Sequence, residues 1–308
     1  MNEFVQQALE ETKRILSEKG LDCQVELTSV VKANDLVKSG ICIKQSDKQI
    51  GVNLYLDEIE SSTSVKDLIE QRLYSLLHTT ERPTQETYMD LSFDKIRSKL
   101  RVRIVDTTCN KRYLATVVHQ DIQETDLSII PEIRHEHSYG FYSAVITNEM
   151  AKNQDYDLEQ LITTAMTCSF IYDHPKIFPL NSVFDPDVDI YKKHEIDGSQ
   201  IYVLTSASGQ MGAYTMVNKD ILDYLASNIG SFTILPSSRH EVLIVPDTLG
   251  LEETHLRQMV RDANRAVVSA EDFLSDDIFA YSVETGLRRL REQVVKEKPL
   301  QANLFSGL

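Results

Sequence analysis

Tryptophan is absent from this chain, and proline and glycine are scarce, at eight and eleven of 308 residues. That scarcity excludes a collagenous or low-complexity chain, while thirteen tyrosines and ten phenylalanines supply apolar mass for packing. No apolar stretch reaches the length of a bilayer crossing. The opening MNEFVQQALEETKRILSEKG carries Glu3, Glu10 and Glu11 and no uninterrupted apolar core, so it is not expected to act as a secretory signal. The four cysteines, Cys23, Cys42, Cys109 and Cys168, form no CxxC pair. With apolar neighbours such as Ile41 and Ile43 they read as core thiols, and the expected compartment is a reducing cytoplasm. Neither GxGxxG after a strand nor GxxxxGK[ST] occurs, so the usual phosphate-cradling loops are missing and no cofactor is expected.

Basic residues are outnumbered 32 to 47, for a formal net charge of −15. Such a surface repels phosphate backbones, so direct nucleic-acid binding would need a local basic patch. KIRSKLRVR crowds Lys95, Arg97, Lys99, Arg101 and Arg103 together, but Ile96, Leu100 and Ile104 recur at i, i+4 and i+8. That spacing predicts an amphipathic helix with its basic side chains on outward faces rather than a nucleic-acid site.

The first twenty residues read as an amphipathic helix capped at Gly20. CQVELTSVVK, SGICIKQ and IGVNLYLD follow as strands of a small antiparallel sheet, with AND and SDKQ as turns. SVKDLIEQRLYSLLHTT is a covering helix with Ser64 as its cap. Beyond ERPTQE come the basic helix, a helical stretch at KRYLATVV, strands at DLSIIPEI and GFYSAVITNEM, and a helix through DLEQLITTAMTCSF. YDHPKIFPLNSVFDPDVDIYKK, with three prolines, reads as a connection between lobes. QIYVLTSAS, GAYTMVNK, SFTILPSS, HEVLIVPD and DIFAYSV read as strands, with helices at KDILDYLASN and ETHLRQMVRDANRAVV. The expected class is α+β, antiparallel sheets with packed helices in two lobes. The expected segments are 1–88 (helix, small sheet and covering helix), 89–190 (middle region and connection), 191–290 (a ββαββαβ lobe) and 291–308 (a flexible tail).

IYVLTSASGQMGAYTMV, ILPSSRHEVLIVPD and LRQMVRDANRAVVSAEDFLSDDIFAYSVETG resemble the C-terminal half of a family of unknown function found in gut Firmicutes, DUF 5688. VVKANDLVKSGICIKQSDKQIGVNLYLDEIE is similar to its N-terminal block, and FDKIRSKLRVRIVD with LEQLITTAMTCSFIYDHPKIFPL to its middle, so the resemblance spans roughly residues 25 to 290. Where the family pattern runs from a Pro-His-Arg-rich segment into an acidic Asp-Leu-Ala strand, this chain has IRHEHSYGFYSAVI; His135 matches in position and the aspartate is missing. The resemblance implies a cytoplasmic bacterial protein, often in a mobile-element setting, and implies no reaction.

In PSSRH, between TIL and VLIV, Ser238, His240 and Glu241 invite a hydrolase reading. A catalytic triad gathers its members from separate elements, and there is no GxSxG elbow here. The stretch reads first as a hairpin connection, with Ser237, Ser238 and His240 as the rim of a ligand site in the rival reading. His135 and His137 could share a metal across a strand, but no further ligand with recognised spacing accompanies them, and no metal is expected. His174 and Asn264 fit either caps or packed polar groups.

Past the last helix, KEKPLQANLFSGL contains Gln301, Leu304 and Phe305 in the Q-x-x-L-F arrangement of peptides that dock on the bacterial DNA polymerase sliding clamp. Leu304 and Phe305 would fill an apolar pocket and Gln301 would bond at its rim; the alternative is that they pack on the protein's own surface. The expectation is therefore an interaction or regulatory protein more than an enzyme, an accessory of a mobile element or prophage. It would bind a protein partner, with the clamp as candidate, and neither nucleic acid directly nor a membrane. A hydrolase-like enzyme near His240 and an acidic DNA-mimic decoy are the rivals.

Overall fold

A computed structural model of the chain describes residues 3–45, 51–55, 64, 66–70, 91–137, 140–184, 195–236 and 238–291. Helix α1 (Glu3–Glu18) buries Ala8, Ile15 and Leu16 on one stripe. It stops where Gly20 takes φ +64°: the Gly20 N–H bonds the Ser17 carbonyl at 3.0 Å and the Leu21 N–H the Leu16 carbonyl at 3.0 Å. That pair of bonds is the Schellman closure that glycine permits. Strands β1 (Cys23–Val31), β2 (Val37–Gln45) and β3 (Gly51–Tyr55) follow in spatial order, all antiparallel. The register Leu27↔Ile41↔Leu54 sets Ile41 and Leu54 on one face, where they meet α1 and Ile69 of the helical residues 66–70. Ser64 does cap that helical stretch, its hydroxyl accepting the Asp67 N–H at 3.2 Å.

The middle of the chain forms α2 (Phe93–Ile96), β4 (Leu100–Asp106), α3 (Lys111–Leu114), β5 (Gln120–Ile122), β6 (Leu127–His137), β7 (Gly140–Val145), α4 (Asn148–Asn153) and α5 (Leu158–Tyr172). The long strand β6 pairs with β4 and β5 in its first half and with β7 in its second. Next come β8 (Pro175–Pro179), β9 (Tyr202–Ser206), α6 (Lys219–Ile229), β10 (Phe232–Leu235), β11 (Glu241–Pro246), α7 (Glu253–Ala266), β12 (Ile278–Ser282) and β13 (Gly286–Leu290). They build a six-stranded antiparallel sheet ordered β13-β12-β10-β11-β9-β8. Alternation along its strands sends Phe232, Ile234, Val242, Ile244, Phe279 and Tyr281 toward α6, while Leu235, Val245 and Ile278 meet Leu256 and Val260 of α7. The α6 side continues into Leu100, Val102, Ile104, Leu161 and Ala165, so middle and C-terminal elements share one apolar core.

The fold class is α+β as the sequence predicts, but four local expectations are corrected. KIRSKLRVR is not one helix: it ends at Ile96, passes through a 3-10 turn at Arg97–Lys99 and becomes β4. A spacing of four residues serves a helix and a strand equally, and Ile96, Leu100 and Ile104 are all buried here. Nor do all its basic side chains face outward: Arg101 is 4% exposed, over the Tyr172 ring at 4.9 Å, and Arg103 pairs with the buried Glu132. The proline-rich connection contains β8, which pairs with β9 at the sheet edge, with Pro175 and Pro179 at its ends where a missing N–H is tolerated; residues 185–194 lie outside the described residues. GAYTMVNK is a 3-10 turn (Gly212–Val217) rather than a strand; the chain enters it through Met211 at φ 55°, and it packs so close that a Cβ on Gly212 would lie 2.4 Å from the Ser206 nitrogen. Finally, β13 forms from GLRRL, where two adjacent arginines interrupt the alternation that marks a strand.

Candidate functional site

The turn Ala33-Asn34-Asp35 joins β1 to β2 and also ties together three distant parts of the chain. Asn34 (φ 61°) and Asp35 (φ 51°) both occupy the left-handed region, which Asn and Asp tolerate better than other side-chain-bearing residues. The Asn34 N–H donates to Asn110 Oδ1 at 2.6 Å, and Asn110 Nδ2 returns a bond to Asn34 Oδ1 at 3.0 Å. Asn110 is fully buried, so this reciprocal pair satisfies an amide that water does not reach. Asp35 accepts the N–H groups of Arg112 (3.0 Å) and Tyr113 (2.8 Å) at the start of α3. Asn34 Nδ2 also reaches the carbonyls of Ala270 (2.8 Å) and Phe273 (2.9 Å) in the segment between α7 and β12.

That segment presents Asp272 to the loop between β10 and β11. The loop is a hairpin connection as expected, since β10 and β11 pair antiparallel, Phe232 opposite Pro246. Ser237 lies outside the described residues. Ser238 is 5% exposed; its hydroxyl donates to Glu241 Oε1 at 3.0 Å and accepts the His240 N–H at 3.0 Å. The imidazole points elsewhere: Met211 N–H donates to Nδ1 at 3.2 Å, and Nε2 meets Asp272 Oδ1 at 3.1 Å. A donor at Nδ1 sets the neutral ring with its proton on Nε2, directed at the carboxylate. Ser238, His240 and Glu241 therefore form no nucleophile–base relay.

Asp272 collects more. Arg239 Nη2 lies 2.7 Å from Oδ1, the Ser269 hydroxyl donates to Oδ2 at 2.7 Å, and the Arg239 N–H bonds the Asp272 carbonyl at 2.9 Å. Burial pushes this carboxyl upward, but the Ser269 hydroxyl, the Arg239 guanidinium and His240 outweigh it and hold the pKa below the ordinary value. Beside this cluster opens a cleft of about 730 Å³, lined by residues 36–39 of the N-terminal hairpin, residues 269–272 and Arg239. Lys38 reaches across it to an ion pair with Glu271. Its volume falls in the range of small-ligand sites, roughly 300–1,000 Å³. Chemically the arrangement offers binding: two cation–anion pairs, the Ser39 hydroxyl, and an apolar wall at Leu36 and Val37.

The sequence reading placed a ligand rim at Ser237, Ser238 and His240; the neighbouring Arg239 is the loop residue that lines the cleft, and His240 serves it through Asp272. Lys38, Glu271, Asp272 and Asn34 were missed. The one available signal was Asn-Asp in a two-strand turn, a pair suited to the left-handed region. His135 is partly buried, and burial, with Lys99 nearby, holds its pKa below the usual value. The side chains of Glu136 and His137 lie outside the described ones. Among the described residues no group of three or more His, Cys, Asp or Glu is placed to hold a metal. His174 contributes its carbonyl to the Ala207 N–H at 2.8 Å, and Asn264 Nδ2 bonds the Ser275 carbonyl at 2.9 Å. Gln301, Leu304 and Phe305 lie outside the described residues. No described helix is long and apolar enough to cross a membrane.

Among the described residues, three antiparallel sheets with packed helices, joined at a turn beside a mixed-charge cleft, define an α+β protein. The chain belongs to the family described as "Family of unknown function (DUF5688)", whose sequence pattern matches residues 1–283. No curated protein and no solved structure matches it.

Proposed function

We propose that this is a cytoplasmic interaction protein, an accessory of a Firmicutes mobile element or prophage, that binds a host protein through residues 301–305, with the DNA polymerase sliding clamp as the partner. The observation that carries this reading is the run Gln301-Ala302-Asn303-Leu304-Phe305, which has the Q-x-x-L-F form and falls outside the family match at 1–283. The described chain is anchored as far as Arg291, which pairs with Asp126. The motif begins ten residues later, and ten residues can span up to about 35 Å, enough to reach a pocket on a separate protein. Leu304 and Phe305 supply the aliphatic and aromatic anchors that dominate such contacts.

The hydrolase reading has less support, because the Ser238 hydroxyl is spent on Glu241 and both nitrogens of His240 are engaged. The decoy reading rests on the net charge of −15 alone.

The test is fluorescence anisotropy of the labelled full chain against purified sliding clamp, with the Leu304→Ala/Phe305→Ala double variant alongside. The expected result is saturable binding by the intact chain and at least a tenfold loss in the variant. Equal binding by both, or none by the intact chain, overturns the proposal. Retained binding that weakens steeply with salt would favour the acidic decoy instead.

A further inference from the structure

We propose that the cleft between the N-terminal hairpin and residues 269–272 is a binding site for a short peptide with free termini, its carboxylate held by Lys38 and Arg239 and its ammonium by Glu271. The cleft is independent of the segment at 301–305, so either proposal can fail without the other.

Charge selects the ligand class. Among the described residues the ionised side chains lining the cleft are Lys38, Arg239, Glu271 and Asp272, which sum to zero in a chain of net charge −15. An anionic ligand such as a nucleotide would approach against the field of the whole protein, and a cation would find both carboxylates already paired. A net-neutral ligand carrying both charges is not opposed by that field, and it brings a counter-charge for each member of the pair it opens. It exchanges the Lys38–Glu271 pair for two new pairs, one at each of its ends.

Geometry makes that exchange local. Lys38 and Glu271 have side chains 23% and 36% exposed and belong to opposite walls, so they can turn toward a ligand at the surface; the Lys38 ammonium also lies 5.3 Å from the centre of the Tyr55 ring. Asp272, by contrast, is held by Ser269, His240 and Arg239, and keeps Arg239 in place. Val37, half exposed, and Leu36 and Ala270 give a wall for an aliphatic side chain. A cleft of about 730 Å³ holds more than one amino acid.

The experiment is calorimetric titration of the full chain with alanyl-leucyl-alanine, with the same peptide N-acetylated and C-amidated, and with leucine. Saturable binding of the free tripeptide, at least tenfold weaker binding of the blocked one, and weaker binding of leucine are expected. Lys38→Gln should weaken the free tripeptide tenfold or more but leave a C-amidated tripeptide bound no more weakly, because Glu271 then has no Lys38 partner to give up; Glu271→Gln should do the same at the ammonium end, tested with the N-acetylated form. Melting curves for each variant report whether the fold is retained. No saturable heat up to millimolar tripeptide, equal affinity for free and blocked peptides, or indifference to both substitutions overturns the site. Leucine binding as tightly as the tripeptide overturns the peptide assignment.

Discussion

Replacing Asn34 tests whether the turn at 33–35 is the joint that holds the N-terminal hairpin to the rest of the protein. Its side chain makes three bonds, to the carbonyls of Ala270 and Phe273 and from Asn110 Nδ2, at 2.8, 2.9 and 3.0 Å. At a net of about 0.5–1.5 kcal/mol each, their loss amounts to roughly 1.5–4.5 kcal/mol, a large part of a domain's usual margin of about 5–15 kcal/mol. The backbone separates two variants. At φ 61°, alanine adds a left-handed penalty of about 1–2 kcal/mol that glycine escapes. Glycine gives back about 0.5–1 kcal/mol through its freer unfolded chain. Asn34→Ala should therefore be less stable than Asn34→Gly, by up to about 1.5 kcal/mol, and both well below the parent chain. Urea unfolding with linear extrapolation measures the difference, and hydrogen exchange should show the amides of 269–273 opening first. If both variants unfold within about 0.5 kcal/mol of the parent, the joint does not hold the hairpin. If glycine proves the weaker of the two, the left-handed argument is wrong.

Glu132 is fully buried between Arg134 and Arg103, whose side chains are 3% and 12% exposed. Burial alone would raise its pKa, but the two guanidinium groups outweigh it and hold it low. Glu132→Ala should cost about 3–5 kcal/mol by stranding buried positive charge, and Glu132→Gln less; a loss under about 1 kcal/mol for alanine would show that water reaches the arginines. The depressed pKa of Asp272 contributes stability above its unfolded value near 3.8, and that stability is lost as pH falls through the lower folded value. Asp272→Asn should then flatten the acid limb of the stability–pH curve below about pH 4 relative to the parent chain. Identical limbs would mean that Arg239, His240 and Ser269 do not favour the ionised form.

Periodicity made much of the fold legible. Helices α1 and α7 announce themselves by apolar stripes and, for α1, by Gly20 at its close. The β10–β11 hairpin is readable from TIL and VLIV flanking a polar loop. Periodicity failed where its signal is shared or interrupted: Ile96, Leu100 and Ile104 satisfy both a helix and a strand, and β13 hides behind Arg288 and Arg289. GAYTMV has the composition of a strand and forms a turn, and at its start backbone atoms of Ser206 and His240 leave Gly212 no room for a side chain.

The sequence by itself determined which positions are apolar and in what rhythm, hence the α+β class, the antiparallel pairings and the turn chemistry of residues 33–35 and 236–240. It could not say which polar residues would meet. Asn34 and Ala270 lie 236 positions apart, His240 and Asp272 thirty-two, Arg103 and Glu132 twenty-nine. A local pattern records whether a side chain faces the core or the solvent, whereas a charge or amide finds its partner only when packed elements bring distant segments within about 3 Å. The cleft is the sum of such meetings. Lys38, Arg239, Glu271 and Asp272 look like ordinary surface charges in the chain, and only the packing of the hairpin against the segment before β12 turns them into one site.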